Sequence, residues 1–338
     1  MSLITCRVSG GNDTIDMVSD VEITVLVCAG VFDSGLASIL DVLDTANAMA
    51  EQLAEAPRWN VTTIGFEPQV RTSAGHIVDC EPTTRAESAD LLVVPAVNVR
   101  QPEDVVDFVG GDRSLPAREL IAKTHARGAA IASACAGTFL LAEAGVLDGL
   151  RATTTWWLAP AFRARYPQIQ LELGSMVIHQ GVITTAGAAF GHLDMVLALV
   201  RSTSPAVADL VASYLIVDER PSQAPYIMPS ALAQADPTVA AFERWARDRL
   251  AEGISIPDAA RCLGVSERTL QRTVQRTMGT SPIRFVQDLR IERAIHLLRT
   301  TDLSLETISR RVGYEQPNTL RTLLRRRTGK TTAALRSV

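Results

Sequence analysis

Over the first two-thirds of the chain, short apolar runs alternate with longer stretches of helical period. The runs are Glu22 to Val27 (EITVLV), Trp59 to Gly65 (WNVTTIG), Leu91 to Pro95 (LLVVP) and Ala129 to Ser133 (AAIAS). Uninterrupted apolar runs of this length suit strands buried on both faces of a parallel sheet. Between them lie the amphipathic stretches Gly35 to Ala54 and Ala117 to Arg127, and Gly191 to Thr203 and Ser204 to Val217 read as closing helices. This rhythm predicts an α/β domain with a doubly wound, flavodoxin-like parallel sheet over residues 21–220. Its site is expected at the carboxyl ends of the strands.

The pattern then changes. Arg220 to Pro237 holds four prolines and no periodicity, and residues 221–237 read as a linker. Residues 238–338 have only helical period and predict an all-α domain with two helix-turn-helix units. In the first, Ile256, Ala259, Ala260 and Leu263 share a face, Gly264 permits the turn, and Ser266 caps the next helix. Leu270 and Val274 point inward there, leaving Glu267, Arg268, Thr269, Gln271, Arg272 and Gln275 outward. The grammar returns about fifty residues later. Ser304 caps a helix carrying Leu305, Ile308 and Val312, Gly313 makes the turn, and Gln316 to Thr328 forms a second outward face. That face presents Gln316, Asn318, Thr319, Arg321, Thr322 and Arg325. Between the units, Pro282 to Leu298 reads as one long helix with Phe285, Leu289, Ala294 and Leu298 buried. Such outward polar and basic sets suit base edges and phosphates in a major groove.

Charge sharpens this division. The net charge of −4 hides a segregation: residues 238–338 carry +9 and residues 1–237 carry −13. A basic end on an acidic body suits a polyanionic partner for that end alone. At 338 residues, 47% hydrophobic and 21% charged, the chain has room for two globular domains. No apolar run is long enough to span a bilayer, so no membrane association is expected. Residues 1–20 read as a loose tail and not as a signal peptide. The five cysteines (Cys6, Cys28, Cys80, Cys135, Cys262) are odd in number and lack CxxC spacing. That fits a reducing, cytoplasmic setting, and no metal or cofactor site is expected.

One cysteine stands apart. Ala129 to Thr138 (AAIASACAGT) reads as a buried strand, a bend of small residues and a helix start, which places Cys135 at an elbow. The backbone N–H groups of Ala136 and Gly137 at the helix start are expected to lower its pKa. The adjacent Trp156-Trp157 is the most conspicuous aromatic pair in the chain.

The helical end resembles the AraC/XylS family of transcription regulators. The matching residues are the Ser266…Leu270…Arg272 helix, Gly279-Thr280-Ser281-Pro282, Arg290…Ala294…Leu297-Leu298, Ile308…Val312-Gly313-Tyr314 and Gly329…Arg336. Leucines stand at 320 and 324 where that family usually has aromatics, and Thr331-Thr332 replaces a Ser-Pro. The preceding part, about Val21 to Arg220, resembles the class I glutamine amidotransferase-like, PfpI-type superfamily. That likeness runs through Gly30, Asp41-Val42…Ala46-Asn47, Leu141 to Gly145, Leu147-Asp148-Gly149, Ala152-Thr153-Thr154 and Thr184 to Gly187. The combination resembles that of the GlxA-type regulators.

The resemblance implies double-stranded promoter DNA as partner, each unit entering a successive major groove at a spacing set by the long helix. It also implies a homodimer formed through the α/β domain, and a small effector that is amino-acid-like or nitrogenous. RNA polymerase is a further candidate partner. Enzymatic relatives commonly place a histidine about twenty residues after the cysteine and some carry an acid after the first strand. Here those places hold Thr155 and Gly35, neither of which can take a proton from a thiol. Cys135 therefore reads as a vestigial nucleophile position in a non-enzyme. Ser34, Cys135, Ala136, Gly137, Thr155 and Trp156 are the candidate lining of an effector pocket. His76, His125, His179 and His192 read as surface or core residues, although His179 or His192 has the chemistry to serve as a base brought from elsewhere. The alternatives are a cysteine-dependent hydrolase or hydratase with a basic tail, an effector-free DNA-binding dimer, and oxidation sensing at Cys135.

Overall fold

The structure is a computed structural model that describes residues 20–53, 56–99 and 101–336. The tail expected over residues 1–20 therefore lies, apart from Asp20, outside the described residues. Contacts divide the chain into two units: one ends at Gln223, the other begins at Ala224, and residues 159–165 group with the second.

The first unit opens with β1 (Val21–Leu26), α1 (Asp33–Ala50) and β2 (Trp59–Gly65). A hairpin of β3 (Gln69–Arg71) and β4 (Ile77–Asp79) and the short β5 (Glu81–Pro82) follow, then β6 (Leu91–Val94). Two helices, α2 (Pro102–Gly110) and α3 (Leu115–Ala126), lead to β7 (Ala130–Ala134) and α4 (Gly137–Glu143). The rest comprises β8 (Arg151–Ala152), β9 (Gln170–Leu171), β10 (Val177–Gln180), β11 (Ile183–Ala186), α6 (Gly191–Thr203) and α7 (Pro205–Leu215); α5 (Ala159–Arg165) falls between β8 and β9 in the chain.

The main sheet has the order β10-β11-β7-β6-β1-β2-β5. Strands β2, β1, β6, β7 and β11 run parallel and β10 is antiparallel to β11. This is the doubly wound arrangement anticipated from the alternating pattern, with the strand order reversing between β1 and β6. Core strands are buried along their length because helices cover both faces: β6 and β7 have no exposed residue. Helix α1 buries Leu36, Ile39, Val42, Leu43 and Ala46, the three-and-four spacing of an amphipathic helix. It begins two residues earlier than the pattern suggested and ends at Ala50. Helix α7 is capped by Ser204 and stops at Ile216, which adopts a left-handed φ of 52°.

The second unit contains α8 (Pro229–Ala233), α9 (Pro237–Arg247), α10 (Ile256–Cys262), α11 (Glu267–Met278), α12 (Pro282–Thr300), α13 (Leu305–Arg311), α14 (Pro317–Thr328) and α15 (Thr332–Arg336). Serines cap four of these. Ser255, Ser266, Ser281 and Ser304 each accept a hydrogen bond from a backbone N–H of the first turn. The long α12 buries Ile291, Ala294, Leu297 and Leu298 against Ile308, Val312, Leu320, Leu324 and Leu335. Leu320 and Leu324 are fully buried, so leucine at the family's aromatic positions completes this core.

The segment expected as a linker, residues 221–237, is largely built into the two units. Pro221 O accepts from Met176 N (3.0 Å). Gln223 is fully buried, with Nε2 donating to Thr153 Oγ1 (3.0 Å) and Thr154 O (2.9 Å). Further on, α8 buries Leu232 and Ala233, and Ser230 Oγ donates to Glu292 Oε1 (2.6 Å). Prolines break periodicity without preventing packing, which is why the sequence pattern misread this stretch.

The two turn glycines are not equivalent. Gly264 (φ 69°) faces open space, whereas a Cβ at Gly313 (φ 79°) would fall on the Leu250 carbonyl oxygen. Gly264→Ala should lose about 1–2 kcal/mol from left-handed strain alone. Gly313→Ala adds a backbone clash and should lose more than about 3 kcal/mol. Thermal unfolding of the two variants checks this; equal losses would refute the close approach at Gly313.

Candidate DNA interface and cysteine elbow

In the first helix-turn-helix unit, the periodicity of α11 separates a buried face from an exposed one. Leu270, Thr273, Val274, Thr277 and Met278 are buried. Glu267, Arg268, Gln271, Arg272 and Gln275 are exposed and line one concave surface of about 750 Å³. Gln271 Nε2 donates to Glu267 Oε1 (3.0 Å), which orders both side chains along the helix. Thr269 differs from the expectation. It is half-buried and its hydroxyl lies 2.8 Å from Ser266 Oγ, so it joins the cap.

The concavity also has members that the outward-facing pattern did not single out: Ile254, Pro257, Ser281 and Ile283. Ile283 is 59% exposed although it lies in the first turn of the long helix. Its position off the buried stripe of α12 was the available signal. An apolar side chain beside exposed polar ones has the chemistry to meet the methyl group of thymine.

The second unit presents Asn318, Thr319, Arg321, Thr322 and Arg325 on the exposed face of α14, with Gln316 exposed at the N-cap position. Arg321 Nη1 donates to Asn318 Oδ1 (2.5 Å) and Thr322 Oγ1 to Asn318 O (3.0 Å). Arg327 is half-buried and differs in kind: its Nη2 donates to Ile227 O (3.5 Å). Arg290 lies with its guanidinium carbon 5.6 Å from the Tyr314 ring centroid and donates from Nη2 to Glu252 O (2.8 Å). This contact ties the long helix to the turn of the second unit.

In the α/β unit, β7 runs into α4 through Cys135, which adopts a left-handed φ of 56°. For a residue with a side chain this is a strained conformation, and it occurs at the predicted elbow. Gly137 permits the bend to sit close to β6: a Cβ there would lie 2.7 Å from Val94 O. Thr154 Oγ1 donates to Cys135 O (2.7 Å), and Thr153 N donates to Thr185 Oγ1 (2.9 Å).

The expected lowering of the thiol pKa does not occur. Burial pushes Cys135 up to about 12, against the Ala136 N–H and Thr155 hydroxyl that would favour a thiolate. Helix-start amides are outweighed because the side chain is removed from water. Nor is a base held ready by His192. Its Nδ1 lies 2.6 Å from Ala189 O, and Ala96 N donates to Nε2 at 3.1 Å. A carbonyl only accepts and an amide N–H only donates, so the ring is a neutral Nδ1–H tautomer with both nitrogens used. Burial lowers its pKa to about 4. The same ring explains Gly35, where a Cβ would lie 2.8 Å from it. His179 Nδ1 is engaged with Thr184 Oγ1 (2.9 Å).

Of the candidate lining residues, Cys135, Ala136, Gly137 and Thr155 are buried together at the elbow. The Thr138 hydroxyl is buried without a hydrogen-bond partner, and the Thr155 hydroxyl faces the thiol. Ser34 and Trp156 are half-buried, and among the described residues no hydrogen bond joins either to the thiol. The Trp156 and Trp157 rings meet edge-on, with centroids 5.9 Å apart at 84°. Among the described residues there is no group of three or more His, Cys, Asp or Glu placed to hold a metal, and no helix long and apolar enough to cross a membrane.

Comparison with known proteins divides the chain in the same way. A model of the DJ-1/PfpI family matches residues 21–202, and a helix-turn-helix domain model matches residues 259–337. The chain is 26% identical to HTH-type transcriptional regulator CdhR of Pseudomonas aeruginosa PAO1, covering 87% of this chain and 84% of that protein. Identity to HTH-type transcriptional regulator GbdR of Pseudomonas aeruginosa UCBPP-PA14 is also 26%, over 82% of this chain and 74% of the other. HTH-type transcriptional activator RhaS of Enterobacter sp. strain 638 is 39% identical, over 24% of this chain and 30% of the other.

Mapped alkylation checks the state of the elbow thiol. At pH 8 a thiol titrating near 12 is about one part in ten thousand thiolate. The exposed Cys262 should be modified quickly while Cys135 stays protected in the native protein. Equal rates at the two sites would contradict the burial described.

Proposed function

The chain belongs to the DJ-1/PfpI family and carries a helix-turn-helix domain behind that region, and from this premise we propose a transcription regulator that senses a small metabolite. Its carboxyl-terminal unit binds DNA. The observation that carries this reading is the pair of exposed polar faces on α11 and α14, both borne on one core organised by α12. In the proposal each face enters one of two successive major grooves of promoter DNA. The +9 charge of residues 238–338 supplies phosphate neutralisation, so affinity falls steeply with added salt.

The effector is proposed to bind at the elbow, among Ser34, Cys135, Ala136, Gly137, Thr155 and Trp156. The buried, unpartnered Thr138 hydroxyl supports this. Such groups are costly unless a ligand or water completes them. An amino-acid-like or nitrogenous molecule has the polar groups to do so. Binding changes DNA engagement only if the effector prefers one conformation over another. The protein is proposed to act as a cytoplasmic homodimer. We assign no catalysis to Cys135: its thiol is held neutral, and both nitrogens of His192 are committed to the backbone.

The DNA reading is tested on an operator identified by genome-wide mapping of bound sites. Arg272→Ala and Arg321→Ala should each cost about 1–3 kcal/mol in affinity and relax preference at the contacted base. Cys135→Ala should bind the operator as the parent does. An unchanged footprint in both arginine variants would show that these faces are not the readers. Turnover of a candidate substrate abolished by Cys135→Ala would instead establish an enzyme.

A further inference from the structure

The α/β unit ends in a stretch that is fastened residue by residue. Arg220 pairs with Asp194 and donates from Nη2 to Phe190 O (2.8 Å). Pro221 O accepts from Met176 N (3.0 Å), and Ser222 Oγ donates to Gly174 O. Gln223 is the last residue of this unit, and Ala224 is the first of the other. Glutamine is mostly an exposed residue, yet here it is fully buried.

The carboxamide of Gln223 is held in a particular way. Its Nε2 donates to Thr154 O (2.9 Å) and to Thr153 Oγ1 (3.0 Å). A carbonyl only accepts, so the nitrogen end must face Thr154. Thr154 is also the residue whose hydroxyl holds Cys135 O (2.7 Å). One residue thus links the glutamine to the strained elbow. The other end of the carboxamide is unpaired: among the described residues, the buried Oε1 has no hydrogen-bond partner. An unpaired buried acceptor is costly, so the seated side chain is held by less than its full hydrogen-bonding capacity.

Room for this side chain depends on residue 187 being glycine. A Cβ at Gly187 would lie 2.3 Å from Gln223 Nε2 and 2.6 Å from its Cδ. The backbone at Gly187 is not left-handed, so its conformation does not itself require glycine. The glutamine does.

We propose that Gln223 is a latch, seated against Thr153, Thr154 and Gly187, whose release alters how the carboxyl-terminal unit engages DNA. The latch rests on the effector reading of the elbow given above and supplies the device that transmits it. Seated, it completes the hold on residues 220–223, and the chain passes directly into the second unit. Released, it frees residues 221–223, about 10 Å of extended chain. A change at the elbow that moves Thr154 with the Cys135 carbonyl removes an acceptor from a carboxamide that is already half-paired. The effector shifts this two-state element by the difference in its affinity for the two states.

The test is operator binding by the full chain carrying Gln223→Ala, Gly187→Ala or both. Gln223→Ala removes the latch, whereas Gly187→Ala keeps the glutamine and puts a methyl group in its seat. Each should shift operator affinity about fivefold or more, in the same direction. The double variant should shift it no further, because both changes empty the same seat of the same group. Gln223→Met keeps the volume but has no donor, and should behave as Gln223→Ala does. Added acetamide supplies a free carboxamide. It should return Gln223→Ala toward the parent affinity while leaving the parent and the double variant unchanged. The proposal is overturned if both single variants bind the operator as the parent does, if their effects add, or if Gln223→Met matches the parent. A parent chain that binds no operator would overturn the regulator reading itself, and the latch with it.

Discussion

The DNA-binding unit depends on one helix that belongs to both of its halves. Residues Ile291 to Leu298 of α12 bury against the second helix-turn-helix, while Phe285 near its start meets Phe242 of α9 with ring centroids 5.9 Å apart. The second half is therefore closed by side chains from this helix, whose start also packs against α9 and α11. Because buried side chains pack densely and move together, the angle between the two exposed faces is a property of that core. Gly313 beside Leu250, and Arg290 over Tyr314, fix the second turn to the same scaffold. A pair of faces held at a set distance suits a duplex, whose major groove returns at a fixed repeat.

The elbow of the α/β unit keeps a strained cysteine conformation while its surroundings withhold chemistry. Burial keeps the thiol neutral, and the imidazole of His192 is tied at both nitrogens, its ring filling the space that a side chain at position 35 would need. Strain at such a bend holds a binding surface as well as it would hold a nucleophile. In the proposed function, the buried Thr138 hydroxyl is what a ligand would complete. In the reading proposed above, this fold contributes recognition to the regulator and no reaction.

Much of this was legible from the order of residues. Strand positions, the serine caps at 266 and 304 and the turn glycines follow from local rules, and the structure places them within a few residues of expectation. The outward sets on α11 and α14 were readable because helical period alone decides exposure there. Thr269 was the exception, since a hydroxyl three residues from a capping serine bonds locally. Long-range partners were not legible. Nothing near Gln223 in sequence reveals that it fills the space above Gly187 and bonds Thr153, seventy residues away. The thiol pKa is not legible for the same reason, because burial is set by the whole fold while helix-start amides are visible locally. Asp194 and Arg220 lie on opposite sides of α7 in the sequence, and their pairing emerges only in three dimensions.

In the proposed function, one chain reads two major grooves at a separation fixed by its own core. The most direct measurement is binding to an operator in which five base pairs, about half a helical turn, are inserted between the two contacted segments of one half-site. Rotation of one segment to the far side of the duplex should cost about a hundredfold or more in affinity. Insertion of a sequence change of the same size outside both segments should cost nothing. Undiminished binding after the insertion would mean that the two faces are not read together, and that α12 does not set their spacing.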